Sequence, residues 1–177
     1  MEVLRGIKAT RVRGDVSLVE VPAPTRIAPF AVALEGEVVL NDKTAADGRF
    51  IVLHDPAGQE AWKGTFRVVA LVRAELELGV ASDELWGHWA WSWIDEALSG
   101  VPHSCLGGTV TRVTNECFGE LAERGRTISV EIRASWTPSD TVIAPHLEAW
   151  ANLLATCAGV PPLPDGVTML PGKNRTA

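Results

Sequence analysis

Two segments of this chain alternate apolar and polar residues so regularly that a half-buried β-strand is the natural way to use them. In RTISVEIRASW (126–136), Ile128, Val130, Ile132, Ala134 and Trp136 share one side, and Thr127, Ser129, Glu131, Arg133 and Ser135 the other. In TFRVVALVRAEL (65–76), Phe66, Val68, Ala70, Val72, Ala74 and Leu76 line one side. Arg67, Arg73 and Glu75 lie opposite, beside Val69 and Leu71. Successive side chains of a strand point to opposite faces, so a period of two sends one set into a core and the other toward water. One wet face marks an antiparallel sheet, since parallel sheets are covered on both.

Other segments fit around these two. VSLVEV (16–21), stopped by Pro-Ala-Pro, reads as a short edge strand that pairs within the chain or with a second copy. FAVALEGEVVL (30–40) places Val32, Leu34, Val38 and Leu40 opposite Glu35 and Glu37, and RFIVLH (49–54) reads as the next strand. Asp55-Pro56-Ala57-Gly58 has the residues a type I turn prefers. GTVTRVTNECF (108–118) is strand-like with mixed faces, and GELAERGR joins it to 126–136 as a polar connection.

Three helices complete the pattern. Residues 1–13 form a short one, weakened by Gly6. Residues 143–158 carry Leu147, Trp150, Leu154 and Ala158 at helical spacing, with Gly159 placed to end the helix. Between them SDELWGHWAWSWIDEALSG (82–100) holds four of the seven tryptophans. At about 100° per residue, Trp86, Ala90, Trp93 and Ala97 share one arc, with Trp89 beside them. That arc reads as the face covering the sheet, with Ser82 as the N-cap. Trp91 falls near the polar arc and is expected to be exposed, a candidate binding anchor because indoles are common interface hot spots.

With 177 residues, no internal repeat and no linker, residues 1–177 read as one domain ending in a Pro-rich extended tail over 160–177. The expected class is α+β: a single antiparallel sheet of five to six strands, helices packed on one face, in the order α-β(3–4)-α-β2-α. That order resembles the type III secretion chaperone-like fold.

Charge and cysteine usage narrow the function. A net charge of −6 disfavours RNA or DNA as a partner, because neutralising phosphates takes a basic surface. Cys105, Cys117 and Cys157 are odd in number and sit in no metal-ligand spacing, which suits reduced thiols in the cytoplasm. No apolar run reaches membrane-spanning length, and no cofactor or phosphate-loop motif is present.

Three sets of residues could carry chemistry. His54, Asp55 and Glu60 gather near the predicted turn, where a His beside carboxylates could serve as acid and base; a solvated turn is the simpler reading. His103 near Cys105 invites a thiol nucleophile, without a recognisable oxyanion site. Arg67, Arg73, Arg112 and Arg133 lie on strands and could meet an acidic ligand or RNA, or pair with Glu75, Glu116 and Glu131 across strands.

PAPTRIAPFAVAL, LHDPAGQEAWKGTFRVVALVRAELE, GTVTRVTNECFGELAERG, VEIRASWTP and HLEAWANLLATCAGVPPLPDGV together resemble one uncharacterised actinobacterial family, the domain of unknown function numbered three thousand. The resemblance covers residues 16–170 and implies no activity. A ribonuclease D-like gene near its relatives implies an association with RNA metabolism. The expectation that emerges is a non-catalytic cytoplasmic protein binding a macromolecular partner, in first place a protein, through the exposed sheet face or around Trp91. A homodimer is also open, with an enzyme built on His54, Asp55 and Glu60, or an RNA-associated protein, as the alternatives.

Overall fold

Alternation becomes architecture once the strands pair. A computed structural model describes residues 7, 10–76 and 85–160 of the chain. It contains β1 (Ser17–Val21), β2 (Phe30–Leu40), β3 (Lys43–Gln59), β4 (Gly64–Leu76), helix α1 (Trp86–Ala97), β5 (His103–Asn115), a 3₁₀ turn (Gly119–Arg124), β6 (Thr127–Pro138) and helix α2 (Ala144–Cys157). The strands form one antiparallel sheet in the order β1-β2-β3-β4-β6-β5. The molecule is thus α+β. Of the helix expected over 1–13, Ile7 is helical and buried whereas residues 10–13 are not helical; its remaining residues, the Ser82 cap and the tail after Val160 lie outside the described residues.

Register carries the two alternating segments into one apolar face. Val68 pairs with Trp136, Ala70 with Ala134, Val72 with Ile132 and Ala74 with Val130, all buried. On the other side of β4, Phe50 pairs with Ala70 and Val52 with Val68, so the face continues into β3. It stops at Val38 in β2, where a bulge between Val38 and Val39 breaks the period. Leu40, expected on the core side, is therefore exposed. The β2–β3 hairpin turns through Asn41 and Asp42, at φ of 51° and 61°. Two positive φ values at the central residues are what a type I′ hairpin needs, and Asn and Asp tolerate them.

β3 is longer at both ends than RFIVLH. The expected turn at Asp55–Gly58 is an irregularity inside the strand, with Gly58 at φ 75°. The chain reverses later, at 60–63, where Trp62 is buried and its carbonyl accepts from the Thr137 hydroxyl at 2.5 Å. Burying that indole fixes the turn, an outcome that local turn preferences could not indicate.

Helix α2 lies across β2, β3 and β4. It ends as its sequence predicts. Gly159 takes φ 81°, its N–H bonds Thr156, and the Val160 N–H bonds the Ala155 carbonyl at 2.8 Å. Those two bonds form a Schellman cap. Trp150 lies against the sheet backbone at Gly36 and Gly48. A Cβ on Gly36 would sit 2.7 Å from the indole ring, and one on Gly48 would sit 2.3 Å from the Leu71 carbonyl oxygen. The Trp150 Nε1–H donates to that same carbonyl at 3.2 Å. One turn earlier, the Trp136 Nε1–H donates to Nδ1 of His146 at 3.0 Å.

Helix α1 packs against α2 and β5, on the same face of the sheet. Its buried line is Ala90, Ile94 and Leu98, with Trp86, Trp91 and Trp93 half-buried around it. The expected phase is off by most of a quarter turn: the branched aliphatics take the centre and the indoles frame it. Trp91, read as exposed, packs against the core, whereas Trp89 is the exposed indole at 51 %.

His146 makes the core pH-sensitive. It is 1 % exposed, and burial, with a smaller push from His103 and against a pull from Asp140, lowers its pKa from 6.5 to about 4. An imidazole whose folded pKa is depressed is protonated first in the unfolded chain, so its contribution is complete above about pH 6.5 and is lost as pH falls toward 4. The loss amounts to about 3 kcal/mol at 1.36 kcal/mol per pKa unit. Urea unfolding between pH 7.5 and 4.5 should show this decline, and His146→Gln, which keeps an acceptor without titrating, should lose that part of the slope. An unchanged slope in the variant would show that His146 titrates normally.

Candidate functional site

The face of the sheet opposite the helices is built from what remains of each strand's alternation. Two cross-strand rows run over it. Glu35 faces Arg49, then Leu71, Arg133 and Thr109; Glu37 faces Asp47, then Arg73, Glu131 and Thr111. With β1 flanking β2, these rows border a hollow of about 500 Å³ whose walls include Ser17, Val19, Glu37, Asp47, Arg49 and Arg73.

The charges of this face form a lattice. Arg49 bonds Glu35, and Glu131 receives Arg73 at 2.7 Å and Arg133 at 2.6 Å. The Arg73 hydrogen bond, assisted by Arg133, holds the Glu131 carboxyl below its ordinary pKa, and the same bond raises that of Arg73. Both arginines are largely in water, so each such pair contributes about 0–1 kcal/mol. Glu37 and Asp47 differ: the two carboxylates face each other on neighbouring strands, Asp47 with Arg73 on its other side and Glu37 accepting from the Ser17 hydroxyl at 3.4 Å.

The candidate arginines separate into three roles. Arg73 and Arg133 do lie on the open face, where they share Glu131. Arg112 instead sits on the helix side of β5, its guanidinium 5.2 Å from the centre of the Trp86 ring. Arg67 is half-buried and donates to the Cys105 carbonyl at 3.0 Å, Thr137 Oγ1 at 3.2 Å and Ser135 Oγ at 2.7 Å. Burial lowers its pKa from the ordinary value. It ties the irregular start of β5, where Cys105 has φ 52°, to β4 and β6.

The catalytic candidates are engaged separately. The His54 ring is stacked between Phe66, 4.1 Å away, and Phe30, 5.9 Å away, and its Nδ1–H donates to the Thr65 carbonyl at 3.1 Å. Asp55 accepts from the Ala57 N–H and from Gln59, while Glu60 is exposed at the reversal. Among the described residues, no hydrogen bond joins His54 to either carboxylate. His103 turns to the Val101 carbonyl at 2.7 Å, not to Cys105. All three cysteines are free, and burial pushes the Cys157 thiol up to about 12. Among the described residues there is no cluster of His, Cys, Asp and Glu able to hold a metal, and no helix long and apolar enough to cross a membrane.

Sequence reasoning missed Asp47 and missed the Glu37–Asp47 apposition, because β3 was expected to begin only at Arg49. The available signal was Asn41-Asp42, whose hairpin chemistry sets the register of everything after it.

These features define an α+β protein with one closed and one open, charge-lined sheet face. The family of proteins of unknown function DUF3000 matches residues 1–168, and the chain belongs to that family. No curated protein and no solved structure matches it.

Two of the three roles can be separated by stability. Arg67→Ala removes three bonds from a half-buried guanidinium and should cost about 2 kcal/mol, whereas Arg133→Ala should cost less than about 0.5 kcal/mol. Urea denaturation of both variants measures this; equal costs would contradict the division.

Proposed function

We propose that this is a non-catalytic protein that binds a protein partner bearing a basic surface through the open sheet face. The observation that carries the reading is the hollow itself, with Glu37 and Asp47 held opposite each other in its wall. A cationic side chain entering beside this pair adds to the cation, Arg73, that faces Asp47 from the next strand. Carboxylates Glu35, Glu37 and Asp47 outnumber Arg49 and Arg73 there, and the net charge is −6. Both favour a basic protein over RNA. Arg73 and Arg133 then act with Glu131 as the polar border of the surface, and Arg67 as its support. Trp91 supports the adjoining helix and is not itself the anchor.

Neither a cofactor nor a metal is required for this role, and three free thiols fit the reducing cytoplasm. The succession of helix, two strands and helix at the end of the fold supports a type III secretion chaperone-like reading, which an α-β3-α-β2-α order would give, although four strands and not three precede it. An actinobacterial origin is part of the same proposal, resting on the sequence blocks that resemble the family.

The test passes extract of the native host, with and without nuclease treatment, over the immobilised protein and over a Glu37→Lys/Asp47→Lys variant of equal melting temperature. A protein retained by the wild type should be released by high salt, and should bind the variant about tenfold or more weakly. Equal retention by both, nothing retained, or retention abolished by the nuclease would each overturn the proposal, the last in favour of RNA.

A further inference from the structure

The two edges of the sheet are unlike. β1 is five residues long and followed by Pro22 and Pro24, which limits further strand pairing. It pairs with β2 through all five residues, so the edge strand read at 16–21 is satisfied within the chain on that side. β5 has 13 residues and pairs with β6 without a break from Gly107 to Asn115. Among the described residues nothing pairs with its outer side. Such an edge presents a row of backbone donors and acceptors, and proteins usually protect it with Lys, Pro or inward-facing charge. Residues 103–115 contain no Lys, no Pro and no carboxylate. Their one arginine, Arg112, is an inward-facing charge whose guanidinium is matched by the Trp86 ring 5.2 Å away, so the strand carries no charge on its other face.

We infer that β5 is a dimerisation edge that pairs antiparallel with β5 of a second copy about a two-fold axis at Thr111, extending the sheet to twelve strands. Self-complementarity argues for a second copy over a foreign strand. About an axis at Thr111, Thr109 faces Val113 of the other copy and Arg112 faces Val110, so β-branched side chains meet and no like charges oppose. An axis one residue further on would set the two Arg112 guanidiniums against each other. The antiparallel arrangement brings the far end of each β5 to the near end of its mate. Phe118, 76 % exposed, and Leu121, also exposed, follow that far end. At the near end a Cβ on Gly107 would meet nothing within 4 Å, which leaves room for an apolar side chain. Val113 is 41 % exposed, and Leu85, just before α1, and Trp89, on that helix, which packs on β5, are exposed as well. Five exposed large apolar side chains thus belong to β5 and the segments adjoining it. Exposed apolar residues beside a long edge strand that lacks Lys, Pro and carboxylates suit an isologous interface. This inference is independent of the partner proposed for the open face.

Light scattering after size exclusion tests it on the intact chain. The wild type should run at twice the 19.0 kDa chain mass. Thr111→Lys places two ammonium groups at the axis and should give a folded monomer at the same concentration. Thr111→Cys should oxidise to a disulfide-linked dimer, because facing Cα atoms in an antiparallel pair lie about 4.5–5.5 Å apart. Thr109→Cys, facing Val113, should not exceed the wild-type background. A wild type that stays at 19.0 kDa over the whole concentration range, or no excess crosslinking by Thr111→Cys over Thr109→Cys, overturns the inference. So does a folded Thr111→Lys that remains dimeric.

Discussion

The fold rests on two indole N–H bonds that fasten one helix to the sheet. Trp150 reaches from α2 to the Leu71 carbonyl, and Trp136 reaches from β6 to His146 on α2. Each indole can bury on the order of 200 Å², worth roughly 5 kcal/mol by area before ordering costs are set against it. That gain requires the polar N–H to find a partner, since a buried donor left unpaired costs about 1–3 kcal/mol. Two glycines make room: Gly36 and Gly48 weaken their strands by roughly 0.5–1 kcal/mol each. The ring they admit gives back more than they cost. Phe50, its ring centre 5.6 Å from that of Trp150, completes the contact.

Among the described residues both helices pack on one face of the sheet. Most apolar side chains of β3, β4 and β6 lie on the helix side, and the charged alternates share the other face with Ile51, Val69, Leu71 and the buried Leu53. Most of those charges neutralise each other locally, through Arg49 with Glu35 and through Arg73 and Arg133 with Glu131. Glu37 and Asp47 are apposed in the wall of the hollow, where Arg73, facing Asp47, is shared with Glu131. The interior is acid-sensitive through His146, whereas the lattice is close to energetically neutral. Changing the open face therefore leaves the core intact, which a binding surface requires.

What could be read from the sequence was what depends on local period. β4 and β6 alternate cleanly and are the two neighbouring strands deep in the sheet; β5, with mixed faces, is an edge. The helix stop at Gly159 was legible because its cap chemistry is local. The missed features all depend on distant partners. Nothing near Gly36 or Gly48 says that it must be glycine, because what excludes a side chain comes from the Trp150 ring at the first and from the Leu71 carbonyl at the second. The phase of α1 was set on its largest residues, yet Ile94 and Leu98 fit the narrow space against α2. Trp89 is consequently outside and Trp91 within. Placing β6 between β4 and β5 reverses the chain order of the last two strands, and sequence pattern alone has no means of expressing that. The open-face arginines were legible as a set, but their division into lattice, support and helix contact was not, because it depends on the positions of Glu131, Cys105 and Trp86.

Hydrogen exchange at the indole nitrogens tests the central claim most directly. In a nitrogen-15 NMR experiment on the native protein, the N–H groups of Trp136 and Trp150 should exchange only as slowly as the most protected core amides, through global unfolding. Trp89 should exchange close to the rate of free indole. Rapid exchange at Trp136 or Trp150 in a folded protein would mean that the helix is held by apolar contact alone, and the account of two anchoring bonds would be wrong.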